Sequence, residues 1–314
     1  MCGNGTLESN EQCDDGDRVS GDGCSSTCLV DRALVENVAN QEPNDFPEEA
    51  NTTAATPFTI SGNIRQLTDN LGDFSEYDAL WLDSDRAQIL RIETFDRTDS
   101  DDCAGGRQFV LEVHDDDALQ AIGPDSFQRA AAFNSIGNCA ALTLPVGTGE
   151  YIAVLYEASG LDPIPFYRMQ VSTLADRGPE QEPNDALALA QLEVADGLDV
   201  YMTGAIAGAN DVDVYAVHVP GGRGVRAEVI PTSGTTSCDG FNTRISLIGD
   251  DGVEVAGRAS ALEACAFIDG NGASPRDVAA KNITTTPRTM YIAVAKGSSG
   301  LASSLPYHLA VTIR

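Results

Sequence analysis

The residues best suited to chemistry stand in a five-residue phrase that occurs twice, Gln-Glu-Pro-Asn-Asp at Gln41–Asp45 and again at Gln181–Asp185. Each copy sets a carboxylate, an amide and a second carboxylate around a proline: Glu42, Asn44 and Asp45, then Glu182, Asn184 and Asp185. Pro43 and Pro183 fix φ and lack an amide donor, so neither a helix nor a central strand runs through the phrase. Three oxygen side chains are left on a stiff turn, the start of the six to eight or so oxygens that Ca²⁺ takes. A second acidic stretch follows each phrase: Asp73 and Asp78 in the first case, Asp211 and Asp213 in the second. Each leads directly into an apolar run. If the loop folds back on the turn, carboxylates, an amide oxygen and backbone carbonyls meet. So many anions repel unless a cation sits among them. The competing use of Asp45 and Asp185 is to cap a short helical turn over 46–50 or 186–191.

The two phrases lie 140 residues apart, and other segments return at the same offset. Tyr151–Val154 reads Tyr-Ile-Ala-Val, as does Tyr291–Val294; Ser159-Gly-Leu161 returns as Ser299-Gly-Leu301, and Tyr167 as Tyr307. A constant offset indicates one unit duplicated in tandem. Both copies consist of short β-branched or aromatic runs separated by turn residues, with little helical periodicity. The expected fold is all-β: two tandem jelly-roll-like β-sandwiches, 42–174 and 175–314, behind a small disulfide-rich module at 1–30 and a connector at 31–41. In the connector, Leu34, Val35 and Val38 fit either one amphipathic turn or a short edge strand.

Asp plus Glu total 48 against 19 Lys plus Arg, a formal charge of −29. Such a balance excludes nucleic acid and anionic membrane surfaces as partners, since both need a cationic face. No apolar run approaches membrane-spanning length, so no membrane insertion is expected.

The eight cysteines divide evenly: Cys2, Cys13, Cys24 and Cys28 in the leader, Cys103 and Cys139 in the first repeat, Cys238 and Cys265 in the second. Even counts in every segment read as disulfides, one inside each repeat, and so as an exported protein. Met1 runs straight into Cys2, so the signal peptide such a protein needs is absent from this sequence. The leader has too few apolar residues for a core and must be stapled. Its four cysteines allow three pairings, which spacing does not decide. Paired Cys-x-x-Cys knuckles, favoured by zinc, are missing. Asp14, Asp15, Asp17 and Asp22 lie among glycines as a further, weaker calcium-type loop, without the closing glutamate or flanking helices of an EF-hand.

The leader's order of Cys-Gly-Asn-Gly, Cys-Asp-Asp-Gly and Gly-Asp-Gly-Cys resembles the myxobacterial cysteine-rich repeat of exported and surface proteins. Each larger block, with Glu-Pro-Asn-Asp, an acidic strand entry and a late Tyr-x-Ala-Val strand, resembles the bacterial pre-peptidase C-terminal domain, and through it the collagen-binding domains of clostridial collagenases. The resemblance implies calcium held between the N-terminal linker and the strand-entry loop. Carried over to matching positions, the ligands are Glu180, Glu182, Asn184, Asp185, Asp211 and Asp213 in the second repeat. In the first they are Glu42, Asn44, Asp45, Asp73 and Asp78. The first repeat departs from the second in having Asn40 where the second has Glu180, and Leu80 where it has Tyr215.

Catalytic patterns are lacking. His114, His218 and His308 are isolated, and neither a His-Glu-x-x-His helix nor a Gly-x-Ser-x-Gly elbow occurs. Trp81, the only tryptophan, is expected in a core. Tyr156, Tyr167, Tyr201 and Tyr307 would either pack inside or line a shallow binding face. The expected function is a non-catalytic, exported, calcium-binding module for adhesion, surface attachment or extracellular-matrix binding. Its ligand would be matrix, a polysaccharide or a cell surface. The alternatives are a structural subunit of an extracellular filament or stalk, paired with itself, and the accessory tail of a secreted peptidase.

Overall fold

The computed structural model describes residues 32–35, 58–69, 72–75, 77–95, 109–115, 128–133, 140–157, 163–193, 199–208, 210–232, 241–259, 265–270, 279–297 and 304–313. The chain divides into two compact units, Met1–Thr173 and Leu174–Arg314. The described residues are almost all strand, and none of their helices is long and apolar enough to cross a membrane.

In the N-terminal unit the first strand, β1 (Arg32–Val35), settles the connector: it is a parallel edge strand against β2 (Phe58–Ile64). A small hairpin follows, β3 (Gln66–Asp69) with β4 (Gly72–Ser75), so Asp73 stands on a strand where a loop was expected. Then come β5 (Asp78–Ser84), β6 (Gln88–Phe95), β7 (Phe109–Asp115), β8 (Gln128–Phe133), β9 (Ala141–Val146), β10 (Gly149–Glu157) and β11 (Ile164–Thr173). They form two sheets ordered β1-β2-β11-β6-β9 and β5-β10-β7-β8. Successive strands cross repeatedly from one sheet to the other, as in a jelly roll. One core fills the space between them, with Phe58, Leu82, Ile92, Leu111, Leu144 and Tyr167 among its buried members.

The C-terminal unit repeats the plan with β12 (Ala175–Pro179), β13 (Gln191–Glu193), β14 (Val200–Ile206), β15 (Val212–Val219), β16 (Val225–Pro231), β17 (Thr243–Ile248), β18 (Glu254–Ala259), β19 (Ala266–Asp269), β20 (Arg288–Lys296) and β21 (Leu305–Ile313). Its sheets run β12-β14-β21-β16-β19 and β13-β15-β20-β17-β18. Strand β12 lies parallel to β14, so the linker leading to the second phrase is built into a sheet edge. Cys265 is buried and disulfide-bonded. It is the only cysteine among the described residues; the leader and the cysteines at 103, 139 and 238 lie outside them.

The duplicated Tyr-Ile-Ala-Val is not superposed as its offset suggests. Strand β20 begins and ends 139 residues after β10, whereas the motif repeats at 140. In β10 the inward residues are Tyr151, Ala153 and Leu155. In β20 they are Met290, Ile292 and Val294, opposite Val217, Tyr215 and Asp213. A one-residue slip in a strand exchanges its faces. Tyr151 therefore packs inside one sandwich, while Tyr291 lies on the outer face of the other.

Candidate functional site

The linker segment 180–185 closes one end of the C-terminal sandwich. Its backbone is fixed first. The Glu180 N–H donates to Thr203 O (2.8 Å), and the Val214 N–H donates to Asn184 O (3.1 Å), so the segment is tied to both β14 and β15. Just before it, the Asp176 carboxylate accepts from Gly178 N (2.7 Å) and from the Tyr201 hydroxyl. The Glu182–Pro183 peptide is cis.

Three of the six expected ligands of this repeat converge, and a fourth, Asn184, lies buried on the same segment. Ligand oxygens of Glu180, Glu182 and Asp213 lie within 4.8 Å of one another. Oxygens on opposite sides of one Ca²⁺ are about 5 Å apart, given ligand distances near 2.4 Å. Asn184, whose backbone carbonyl accepts from Val214 N, is 0% exposed, and neither Oδ1 nor Nδ2 has a hydrogen-bond partner. Asp213 is equally buried, and its Oδ1 is also unpartnered. Buried polar atoms are left unpaired only at a cost of about 1–3 kcal/mol each. An orphaned buried oxygen of Asp213 close to two further carboxylates could hold a hard cation.

The other oxygens of these acids are held from behind. Asp213 Oδ2 accepts from the Tyr307 hydroxyl at 2.6 Å. Glu180 Oε2 accepts from the Tyr215 hydroxyl at 3.1 Å, and Glu180 Oε1 from Ala205 N at 2.7 Å. The two tyrosine oxygens are themselves 2.6 Å apart, bridging the sheets. Glu182 Oε2 accepts from Asn184 N at 2.9 Å. Second contacts of this kind fix the orientation of a metal's ligands. Gly204 faces the Tyr307 ring, and any Cβ there would fall 2.4 Å from Tyr307 Cζ and 2.8 Å from Glu180 Oε2.

With no cation among these groups the electrostatics are unfavourable. Burial pushes the Asp213 carboxyl up to about 8; the Tyr307 hydrogen bond opposes this, and the charges of Glu180 and Asp211 add to it. Burial and the adjacent acids raise Tyr215 and Tyr307 well above the usual phenol range. A cation or a proton at Asp213 would relieve the crowding.

Asp185 and Asp211 stand outside this inner set. Asp185 is exposed, and its Oδ1 accepts from Val212 N at 3.3 Å. It does not cap the short 3₁₀ turn at Leu187–Leu189, whose cap residue is Ala186 with no side-chain bond. Asp211 Oδ2 accepts from Ala207 N. Both acids brace the strand-entry loop in this arrangement.

In the first repeat, Glu42, Asn44 and Asp45 lie outside the described residues, as do Asp14, Asp15, Asp17 and Asp22. Asp78 occupies the place of Asp213: buried, at the start of β5, opposite Leu155 of the core. Asp73 is on the β4 hairpin.

The tyrosines and the tryptophan divide between core and face. Tyr167 and Tyr307 are fully buried, which removes them from any binding face. Tyr156 is half-buried and outward, as is Tyr201, whose ring meets His308 edge-on at 5.5 Å. Trp81, expected in a core, instead covers the outer side of its sheet, over Ala79, Ile152 and Val154. It sits on β5 between inward Leu80 and Leu82, so strand alternation sends it out. The Tyr215–Tyr307 pair was missed as part of the site; the one signal for it was a tyrosine two residues after Asp213.

No family model matches the chain, and no curated protein matches it. Among solved structures it is similar to the pre-peptidase C-terminal domain of a collagenase from Bacillus anthracis: 19% identity, 41% of this chain and 100% of that one, TM-score 0.29. It is similar to the PBSX exported protein XepA at 12% identity, over 81% of this chain and 86% of the other, with a TM-score of 0.24. A third similarity is to the tandem CBM51 modules of a family 98 glycoside hydrolase from Streptococcus pneumoniae, at 9% identity, over 79% and 88%, with a TM-score of 0.20.

Proposed function

We propose that the chain is a non-catalytic, exported binding module whose C-terminal sandwich is locked by Ca²⁺ at Glu180, Glu182, Asn184 and Asp213. The observation that carries this reading is the meeting of Glu180, Glu182 and Asp213 oxygens within 4.8 Å, on a segment whose Asn184 amide is fully buried with both polar atoms unpartnered. Asp185 and Asp211 lie one step further out and would complete the shell directly or through water. The ion would tie the linker 175–185 to β14 and β15, so ligand binding and folding are coupled. Adhesion to matrix, polysaccharide or a cell surface is the role such a stiffened, acidic, outward-acting module would serve.

The test is a melt of the purified chain with Ca²⁺ and with chelator. A ligand at 100 times its Kd adds about 2.7 kcal/mol to the state that binds it, so calcium should raise the melting temperature of the C-terminal unit by several degrees. Asn184→Ala and Asp213→Ala should each abolish that rise. Chelation should also increase protease cutting between residues 175 and 185. Identical melts with calcium and chelator would sink the reading.

A further inference from the structure

The β1-β2-β11-β6-β9 sheet of the N-terminal unit holds a row of polar groups that the calcium reading does not use. Strand register sets Thr59 of β2, Gln170 of β11 and Glu93 of β6 side by side, on the face turned away from core members Phe58, Met169 and Ile92. All three are buried, at 1%, 2% and 5% exposure. Glu93 Oε1 accepts from Arg91 Nη2 at 2.9 Å, and Arg91 Nη1 donates to Thr143 Oγ1 at 2.9 Å. Gln170 differs: neither its Oε1 nor its Nε2 has a hydrogen-bond partner. A buried primary amide with idle N–H donors is costly to keep, and its neighbours across the strands are a hydroxyl and a carboxylate. The C-terminal unit lacks this combination. Counted from Tyr167 and Tyr307, each opposite a glycine, the matching row there is Tyr201, Ala310 and Glu228.

We infer that Thr59 and Gln170 form an intramolecular ester that joins β2 to β11, with Glu93 as its general base. Thr59 Oγ1 attacks Gln170 Cδ, and Glu93 takes the hydroxyl proton and passes it to the departing nitrogen. The Oγ1–Cδ bond forms, the Cδ–Nε2 bond breaks and ammonia leaves, with nothing oxidised or reduced. Directly opposed residues of antiparallel strands hold their Cβ atoms about 4.5–5.5 Å apart, which a threonine esterified to a glutamyl chain can span. Groups held in this way react at an effective concentration far above any reached in solution. Arg168 and Arg91 stand in the rows on either side of Gln170, cations that offset charge developing on the carbonyl oxygen. Exclusion of water from the buried row protects the ester from hydrolysis. Loss of ammonia also removes the idle donors. A cross-link to lysine is ruled out, because both lysines of the chain, Lys281 and Lys296, belong to the C-terminal unit. Strands β3 to β10 lie between the joined residues in sequence. A pull along the chain would pass through the bond and spare them, which suits a module that attaches a cell or a matrix under tension.

The experiment is the mass of the full chain, reduced and denatured, from protein purified with Ca²⁺ and with chelator. In both, a mass about 17 Da below that of the sequence is expected, the loss of one ammonia. Trypsin cuts after Arg32, Arg65, Arg168 and Arg177. One peptide joining 33–65 to 169–177 should therefore appear, and hydroxylamine, which cleaves esters and spares amides, should split it. Thr59→Val and Gln170→Ala should each restore the full mass. Thr59→Ser should keep the loss, since it keeps the hydroxyl. Glu93→Gln should slow bond formation about a hundredfold, the low end for a missing general base. Full mass in the parent chain, fresh and aged, overturns the bond without reference to any variant. The same loss mapped to a peptide without Gln170, as from ring closure at an asparagine, overturns it too, as does a joined peptide that resists hydroxylamine. Each of these results leaves the calcium reading standing, and melts indifferent to calcium leave the bond standing.

Discussion

The same corner of the two sandwiches is wired differently. In both units a tyrosine on the last strand faces a glycine across the sheet: Tyr167 opposite Gly62, and Tyr307 opposite Gly204. In both, a buried aspartate opens the strand that faces it, Asp78 or Asp213. Two residues on, the N-terminal unit has Leu80 and the C-terminal unit Tyr215. The leucine joins the apolar core. The tyrosine extends a polar chain from Asp213 through Tyr307 to Glu180. One side chain thus decides whether the corner is sealed by hydrocarbon or connected to the linker. A polar network inside a core holds one arrangement only if all its members are satisfied, and in the C-terminal unit Asp213 Oδ1 is left without a partner.

The largest effect should come from Gly204→Ala. The added methyl would fall on the Tyr307 ring and on Glu180 Oε2. The ring is fixed by its contacts with Tyr215 and Asp213, so the strain cannot relax into solvent. A cost of about 2–3 kcal/mol is expected for overpacking of this kind, together with loss of the calcium response. Two-step melts in which only the calcium-sensitive step moves would support this. A variant as stable and as calcium-responsive as the parent would show that the corner is looser than its distances state.

Much of this corner was legible in the sequence. The proline-bounded phrase and the family resemblance marked Glu180, Glu182, Asn184, Asp185, Asp211 and Asp213, of which oxygens of Glu180, Glu182 and Asp213 lie within 4.8 Å of one another. The strand content was legible from β-branched runs. The facing of β10 and β20 was not, because both sides of β10 are apolar: Ile152 and Val154 are as buried as Ala153 and Leu155. A strand covered on both faces shows no alternation to fix its register. Trp81 misled for the same reason. Strand β12, Ala175–Pro179, contains no β-branched or aromatic residue and is a strand only because β14 offers it an edge. The Tyr215–Tyr307 contact joins residues 92 positions apart, and local pattern carries no trace of such a pair.

The next effect is in the pH dependence. Asp213 titrates near 3.8 when exposed and is pushed up to about 8 by burial and by Glu180 and Asp211. Between those values the folded chain binds a proton that the unfolded chain does not. The stability this contributes is complete below about pH 4 and is lost as pH rises through about 8. Chelated protein should therefore melt progressively lower from pH 5 to about pH 8 and level off above it. Calcium should remove most of that slope, because the ion takes the proton's place. Asp213→Asn should flatten the slope in chelator. The N-terminal unit serves as the internal control for a slope that belongs to the C-terminal corner, and a slope unaltered in the variant would assign it elsewhere.

The smallest change tests the comparison most narrowly. Tyr215→Phe keeps the ring and deletes one hydroxyl, making the C-terminal corner as apolar at that point as Leu80 makes the other. It removes the donor to Glu180 Oε2 and the 2.6 Å contact with Tyr307, while Tyr307 keeps its bond to Asp213. Loss of one buried hydrogen bond costs about 1 kcal/mol. Glu180, still held through Oε1 by Ala205 N, would keep its place but lose one of two restraints on its carboxylate plane. Calcium affinity should then fall about tenfold, the low end of the range for losing an outer-shell partner, with stability in chelator lower by only that ~1 kcal/mol. Isothermal titration with Ca²⁺ measures the first quantity and a chelated melt the second. A variant that binds calcium as tightly as the parent would mean that the tyrosine serves the core alone, and that the difference between the two units lies in the linker rather than in the strand.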